Sequence, residues 1–176
     1  MNSEVHSNNH QTLPIKYLPN YNREWGNIAY ANPGDAGFDL RAALDSPVTL
    51  RPGETLIIPT GICVAVPLNF ELQIRPRSGL AAKNKITIVN TPGTIDSGYR
   101  GEIKIILRNE NYYFNDRKYD IFHPLPEDSF ISFVVNPGDR IAQAVLCPIF
   151  VAMFDEVADL DDTVRGTGGL GSSGTK

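Results

Sequence analysis

Residues 48–75, VTLRPGETLIIPTGICVAVPLNFELQIR, decide the fold class. Their short β-branched runs, VTL, ETLIIP, ICVAVP and FELQIR, are cut by Pro52-Gly53, Thr60-Gly61 and Leu68-Asn69, so turn residues recur every eight to ten positions. That spacing predicts an antiparallel all-β domain. Outward from it, further strands are expected at 86–89, 102–107, 130–135 and 140–150, with Pro148 setting the last near an edge or a bulge. Leu80 to Lys83 reads as a helical turn, and Phe154 to Leu160 as a short second helical segment. A jelly roll or closed barrel accommodates so many short strands.

A chain of 176 residues is long enough to bury a hydrophobic core and short for two ordinary domains, so one domain is expected. Sixteen Lys and Arg against twenty Asp and Glu leave a formal charge of −4, which argues against general affinity for nucleic acid or an anionic membrane. Any polyanion must be met by local placement of basic groups. Cys63 and Cys147 sit in apolar runs and read as buried free thiols of a reducing compartment. Without an apolar signal-like segment or a membrane-length run, the expectation is a soluble, cytoplasmic protein.

The first twelve residues, polar and without periodicity, read as a flexible arm; His6 and His10 there lack a carboxylate or thiol cluster that would complete a metal site, and His123 has no evident partner. Residues 13–164 form the expected barrel domain. Within it, 109–129 is long for a strand connection and carries Tyr112, Tyr113, Phe114, Tyr119 and Phe122, so it is expected to pack against something. Residues 165–176, RGTGGLGSSGTK, hold five of the fifteen glycines. Their main-chain N–H groups can approach an anion closely, with Arg165, Ser172 and Ser173 adding donors. This is not a P-loop, since G-K-[ST], a preceding strand and a following helix are all missing. Taken alone, the segment reads as a flexible tail.

Four internal stretches bear chemistry. In IRPRSGLAAK, residues 74–83, a strand delivers Arg75 and Arg77 to a Ser78-Gly79 corner, where guanidinium, hydroxyl and helix-start N–H groups can meet one anion. A surface turn with scattered basic residues explains the same letters. In VNTPGTIDSGYRGEI, residues 89–103, two turns describe a protruding hairpin with exposed main chain, Asp96 as a candidate general base and Tyr99 as a stacking surface. An Asx turn and a core tyrosine are the plainer alternative. PGDAGFDLRA puts Asp35 and Asp39 around a Gly37 turn, and PGDRIAQAV puts Asp139, Arg140 and Gln143 at the start of a strand.

In chain order AGFDLRA, RPRSGLAAK, GTIDSGYRGEI, PGDRIAQ and RGTGGLGSSG resemble the five motifs of the trimeric dUTPases, over residues 36–174. The resemblance implies a jelly-roll-like, distorted β-barrel subunit in a homotrimer, a glycine-rich C-terminal arm closing over the active site, and active sites built from more than one subunit. It implies Mg²⁺-dependent hydrolysis of dUTP to dUMP and pyrophosphate, limiting uracil in DNA and supplying dUMP for thymidylate synthesis. Asp96 would activate the attacking water. Tyr99 would lie under the deoxyribose and crowd a ribose 2′-OH, while Asn90 and the main chain from Gly93 to Tyr99 would read the uracil edge. Arg77, Ser78, Gly79, Arg140 and Gln143 would bind the phosphates, as would Arg165, Ser172 and Ser173 of the tail, with Leu170 and Gly171 covering the base. Asp39 would approach Mg²⁺ through water, the ion resting mainly on the triphosphate.

Three features depart from the family pattern. Leu170 stands where relatives carry an aromatic ring, residues 109–129 look like an insertion suited to a protein partner, and Gly98 replaces a frequent acidic residue. Of the rival readings, a dCTP deaminase would need a glutamate where this chain has Ile106 and a second serine where it has Gly79. A nucleotide-sensing or protein-binding module on the same scaffold would use the aromatic insertion, and the presence of Asp96 speaks for catalysis.

Overall fold

In the computed structural model, residues 10–111 and 131–169 are described. Eleven strands run in chain order through them: β1 Ile15–Tyr17, β2 Gly37–Arg41, β3 Val48–Leu50, β4 Thr55–Pro59, β5 Ile62–Val64, β6 Phe70–Arg75, β7 Ile86–Ile88, β8 Gly93–Ile95, β9 Lys104–Asn109, β10 Phe133–Val135 and β11 Arg140–Pro148. Every strand pairing is antiparallel. The strands form a sheet of order β2-β11-β6-β8, a sheet of order β4-β9-β7, and the pairs β1-β5 and β10-β3. Together they make a distorted, jelly-roll-like barrel around one core.

Two-residue alternation sends one face of each long strand inward. In β6, Leu72 and Ile74 are buried, whereas Glu71, Gln73 and Arg75 are half-exposed on the other face. In β9, Ile105, Leu107 and Asn109 point inward, and Leu40, Leu50, Ile86, Ile103, Val135 and Ile141 complete the center of the core. The two buried polar residues among those described are satisfied. Thr60 donates its hydroxyl to Ile103 O at 2.6 Å, and Asn109 donates Nδ2 to Leu50 O and Ile131 O, both at 2.9 Å. The Asn109–Ile131 bond draws together the chain ends that flank residues 112–130. A long excursion between fixed ends adds little closure entropy. The aromatic residues noted at 112–122 lie outside the described residues.

Several expectations need correction. Phe154 to Leu160 is not helical; after β11 the chain runs without regular structure, and Phe154 and Leu160 are 98% and 85% exposed. A short helix is stabilised by packing an apolar face, and nothing in the described chain covers this one. Gly37 is not in a turn but opens β2; the turn lies earlier, at Gly34, whose φ is +89°. Nor is 89–103 a hairpin, because β7 pairs with β9 while β8 pairs with β6, so the chain crosses from one sheet to the other. β11 is flanked by both β2 and β6 only as far as Val145; beyond it only β6 pairs, so Pro148 does end the strand with one side an edge, and the register irregularity lies at the other end, between Arg140 and Ala142. Cys63 is buried, but Cys147 is half-exposed. The 80–83 turn is present as one π-helical turn, Leu80–Asn84.

Candidate active site

Asp39, at the middle of β2, pairs across the sheet with Gln143 of β11, which in turn pairs with Arg75 of β6. Beyond β6, Gln143 Nε2 donates to Pro76 O at 2.9 Å and fixes the chain where it turns toward Arg77. Gly37 makes room for that glutamine, since a Cβ there would lie 2.8 Å from Gln143 Oε1. Arg77 Nε then meets Asp39 Oδ1 at 2.7 Å, and Arg140 NH1 meets Asp39 Oδ2 at 3.3 Å. Arg77 NH1 also donates to Arg140 O at 3.1 Å.

Asp39, Arg77 and Gln143 border an open cavity of about 390 Å³ whose walls also include Ser78 and Gly79, while Arg140 lines a second cavity that shares Arg77. Two guanidinium groups converge on one carboxylate and leave positive charge in excess, a setting for phosphate oxygens. Sequence reasoning missed what holds Arg140 in place. Gly138, with φ +83°, donates its N–H to Ala42 O at 2.9 Å and receives Arg41 NH1 on its carbonyl at 2.8 Å. A Cβ on Gly138 would lie 2.7 Å from Trp25 Nε1, so the indole seals this turn. Trp25 is 113 positions earlier in the chain, and no local pattern announces the contact.

The second cluster lies on β8 and the turn after it. Gly93 is buried opposite Ile74, with the Asn90 amide 3.2 Å from where its Cβ would stand. Asp96 is exposed, and its carbonyl accepts from Tyr99 N at 3.1 Å. Tyr99 Oη donates to Glu102 O at 2.9 Å, and Arg100 donates to Ser97 O and Tyr99 O.

The fold does not bring the two clusters together in one chain. β8 pairs Gly93 with Ile74 and Ile95 with Leu72, so Asp96 emerges at the Phe70 end of β6. Thr94 reaches Glu71 there, at 3.2 Å. The distance from Glu71 to Arg75 is about 13 Å at ~3.3 Å per residue, and Arg77 lies beyond Arg75. Asn90, Asp96 and Tyr99 are absent from the walls of the 390 Å³ cavity. Arg165 is also elsewhere, donating Nε to Gly168 O at 2.8 Å in a turn of its own segment. Leu170, Gly171, Ser172 and Ser173 lie outside the described residues.

Among the described residues no three His, Cys, Asp or Glu side chains gather as a metal site. Asp39, expected near a metal, has each carboxylate oxygen on an arginine. Among the described residues of one chain the donor set does not cage an ion, whereas an ion carried on phosphate oxygens needs no such cage.

The dUTPase family model matches residues 23–119 and 129–174. The chain belongs to the dUTPase family. It is 47% identical over 168 residues to the deoxyuridine 5'-triphosphate nucleotidohydrolase of Maricaulis maris, covering 94% of this chain and 99% of the relative. It is 45% identical over 162 residues to that of Bdellovibrio bacteriovorus, covering 92% and 95%. Among solved dUTPases, a mutant from Staphylococcus bacteriophage 80alpha with dUpNHpp superposes with TM-score 0.75 at 28% identity, covering 94% and 99%. A mutant from phage phi11 of S. aureus, described as coordinating a structural Mg(II) ion, superposes with TM-score 0.67 at 25% identity, covering 86% and 100%. The family match passes over residues 120–128, inside the stretch read as an insertion.

Proposed function

We propose that this dUTPase hydrolyzes dUTP to dUMP and pyrophosphate at sites shared between the subunits of a homotrimer. The observation that carries the reading is the separation along β6. Asp96 leaves the sheet at one end and Arg77 stands past the other, so a single chain cannot offer both to one nucleotide. A second copy supplies the missing half. The apolar stretch after β11 agrees, because Phe150, Met153 and Phe154 are exposed on a lone chain and gain cover in an assembly.

In the shared site Arg77, Ser78, Gly79, Arg140 and Gln143 hold the triphosphate, with Asp39 fixing both arginines. Magnesium arrives bound to the triphosphate as part of the substrate. Asp96 of another subunit takes a proton from water as its oxygen attacks the α-phosphorus. The bond from that phosphorus to the bridging oxygen breaks, and pyrophosphate leaves. Such a base is worth ~10² to 10⁴ in rate. Asn90 and the main chain from Gly93 to Tyr99 read the uracil edge; the extra methyl of thymine would overfill that space at a cost of ~1–3 kcal/mol. Tyr99 lies under the deoxyribose. Residues 165–176, with Arg165, Leu170, Gly171, Ser172 and Ser173, close over the nucleotide, residues 1–12 remain an arm outside the barrel of 13–164, and 109–129 is an insertion open to a protein partner. The cytoplasmic nucleotide pool is the setting for this reaction.

Ile106 speaks against deamination. It lies within β9 opposite Ile57, where the rival chemistry needs a carboxylate. Pyrophosphate release from dUTP, dTTP, UTP and dCTP, with and without Mg²⁺, tests the proposal. Release is expected from dUTP alone at an appreciable rate; ammonia release from dCTP would refute it.

A further inference from the structure

We infer that Gly101 and Glu102 set the choice of sugar by latching Tyr99 in place, an inference that rests on the reading of Tyr99 as the floor of the deoxyribose pocket. Tyr99 curls over its own loop and donates Oη to Glu102 O at 2.9 Å. Its hydroxyl is thereby committed to main chain, and the ring, 43% exposed, is what it offers a ligand. The pose requires glycine at 101. A Cβ there would lie 2.7 Å from Tyr99 Cζ and 3.1 Å from Cε2, so any side chain pushes the ring away. Gly101 does not have a positive φ, so the requirement comes from the ring and not from the backbone.

The carbonyl that receives the hydroxyl is itself anchored. Glu102 Oε1 accepts from Gly61 N at 2.9 Å and from Asn20 Nδ2 at 3.0 Å. The next residue, Ile103, is 1% exposed; its N–H bonds Ile62 O at 2.9 Å and its carbonyl receives the Thr60 hydroxyl at 2.6 Å. Gly61 has φ +70° and is backed by Tyr21, whose Cβ would lie 2.8 Å from a Cβ there. A line of contacts thus runs from the Asn20-Tyr21 turn through Glu102 to the ring. An exposed ring free to rotate yields to a ribose 2′-OH, whereas a latched one excludes it by contact. Gly101 and Glu102 are positioning residues that act through Tyr99.

The test compares kcat/KM for dUTP, UTP and dTTP in the full-length wild type, Gly101→Ala, Glu102→Ala and Tyr99→Phe. The dUTP-to-UTP ratio is expected to fall about tenfold or more in each variant, the scale of one misfitted contact in a specificity pocket. The dUTP-to-dTTP ratio is expected to hold, which a general loosening would not allow. Tyr99→Phe adds no atom and only frees the ring, so it carries the test if Gly101→Ala does not fold. Folded variants that keep the wild-type dUTP-to-UTP ratio, or lose both ratios together, overturn the latch. A wild type that itself treats dUTP and UTP alike overturns the reading of the substrate along with it.

Discussion

Asp39 Oδ1 lies 2.7 Å from Arg77 Nε, and the same carboxylate holds Arg140 at 3.3 Å through its second oxygen. One acidic side chain thus holds two basic ones, Arg77 just past the end of β6 and Arg140 at the start of β11. Both Asp39 and Arg77 side chains are 28% exposed, so the pair is partly screened and its worth is alignment more than net stability.

Asp39→Asn keeps the shape and removes the charge that orients the guanidinium groups. KM for dUTP is expected to rise about tenfold, equivalent to ~1.4 kcal/mol, with kcat changed far less. Steady-state kinetics over a Mg²⁺ titration check this. The Mg²⁺ concentration for half-maximal rate stays at the wild-type value if Asp39 acts on arginines, and rises if it acts on the metal.

Asp96→Asn removes the carboxylate of the proposed base while keeping the size of the side chain. kcat is expected to fall ~10²- to 10⁴-fold while binding of dUpNHpp, followed by calorimetry, stays near wild type. Equal losses in binding and turnover would mean that Asp96 holds the nucleotide instead.

Much of the barrel was legible because short strands end at residues with special backbone needs. Pro52-Gly53 and Thr60-Gly61 mark real turns, and Gly53 and Gly61 have φ of +73° and +70°. The neighbor of each strand was not legible. Ile86–Ile88 and Gly93–Ile95 are four residues apart and lie in different sheets, a choice made by which core faces they fill. The helical reading of Phe154 to Leu160 failed because the segment packs against nothing in the described chain, and apolar residues without a facing surface need keep no fixed period. At the candidate site, motif residues with chemical side chains were visible one by one. Trp25, Arg41 and Glu102 were not, since each acts on a main-chain group far away in sequence.

Trp25 is the chain's single tryptophan and packs on the turn before Arg140. Gly138→Ala sets a methyl against that indole at a φ that disfavors side chains, and is expected to cost on the order of 1–3 kcal/mol. Chemical denaturation followed by Trp25 fluorescence measures the loss. In the folded wild type, dUpNHpp is expected to change the same emission by drawing on Arg140.

Burial raises the Tyr21 phenol above its ordinary value of 10.0, with the neighboring Tyr17 adding to the shift and Arg41 and Arg23 opposing it. A raised folded value means that the protonated form is the one the fold prefers. The stability Tyr21 contributes is therefore fully present below about pH 10 and is lost as pH rises through the raised value. Thermal midpoints measured across this alkaline range are expected to fall more steeply in wild type than in Tyr21→Phe. That variant loses the hydroxyl bond to Gly26 O, about 1 kcal/mol, at every pH where the phenol is neutral.

The shared site is tested most directly by mixing two dead subunits. Asp96→Asn and Arg77→Ala, each assayed alone at low dUTP, are expected to be nearly inactive. Co-expressed as differently tagged chains and purified through both tags, the mixed assembly pairs an intact Asp96 from one chain with an intact Arg77 from the other. Each dual-tagged trimer holds both kinds of chain and so restores one site of three, and dUTP hydrolysis returns to roughly a third of the wild-type rate. Mixed assemblies no more active than the two parents would contradict the account, because each nucleotide would then be served by one chain.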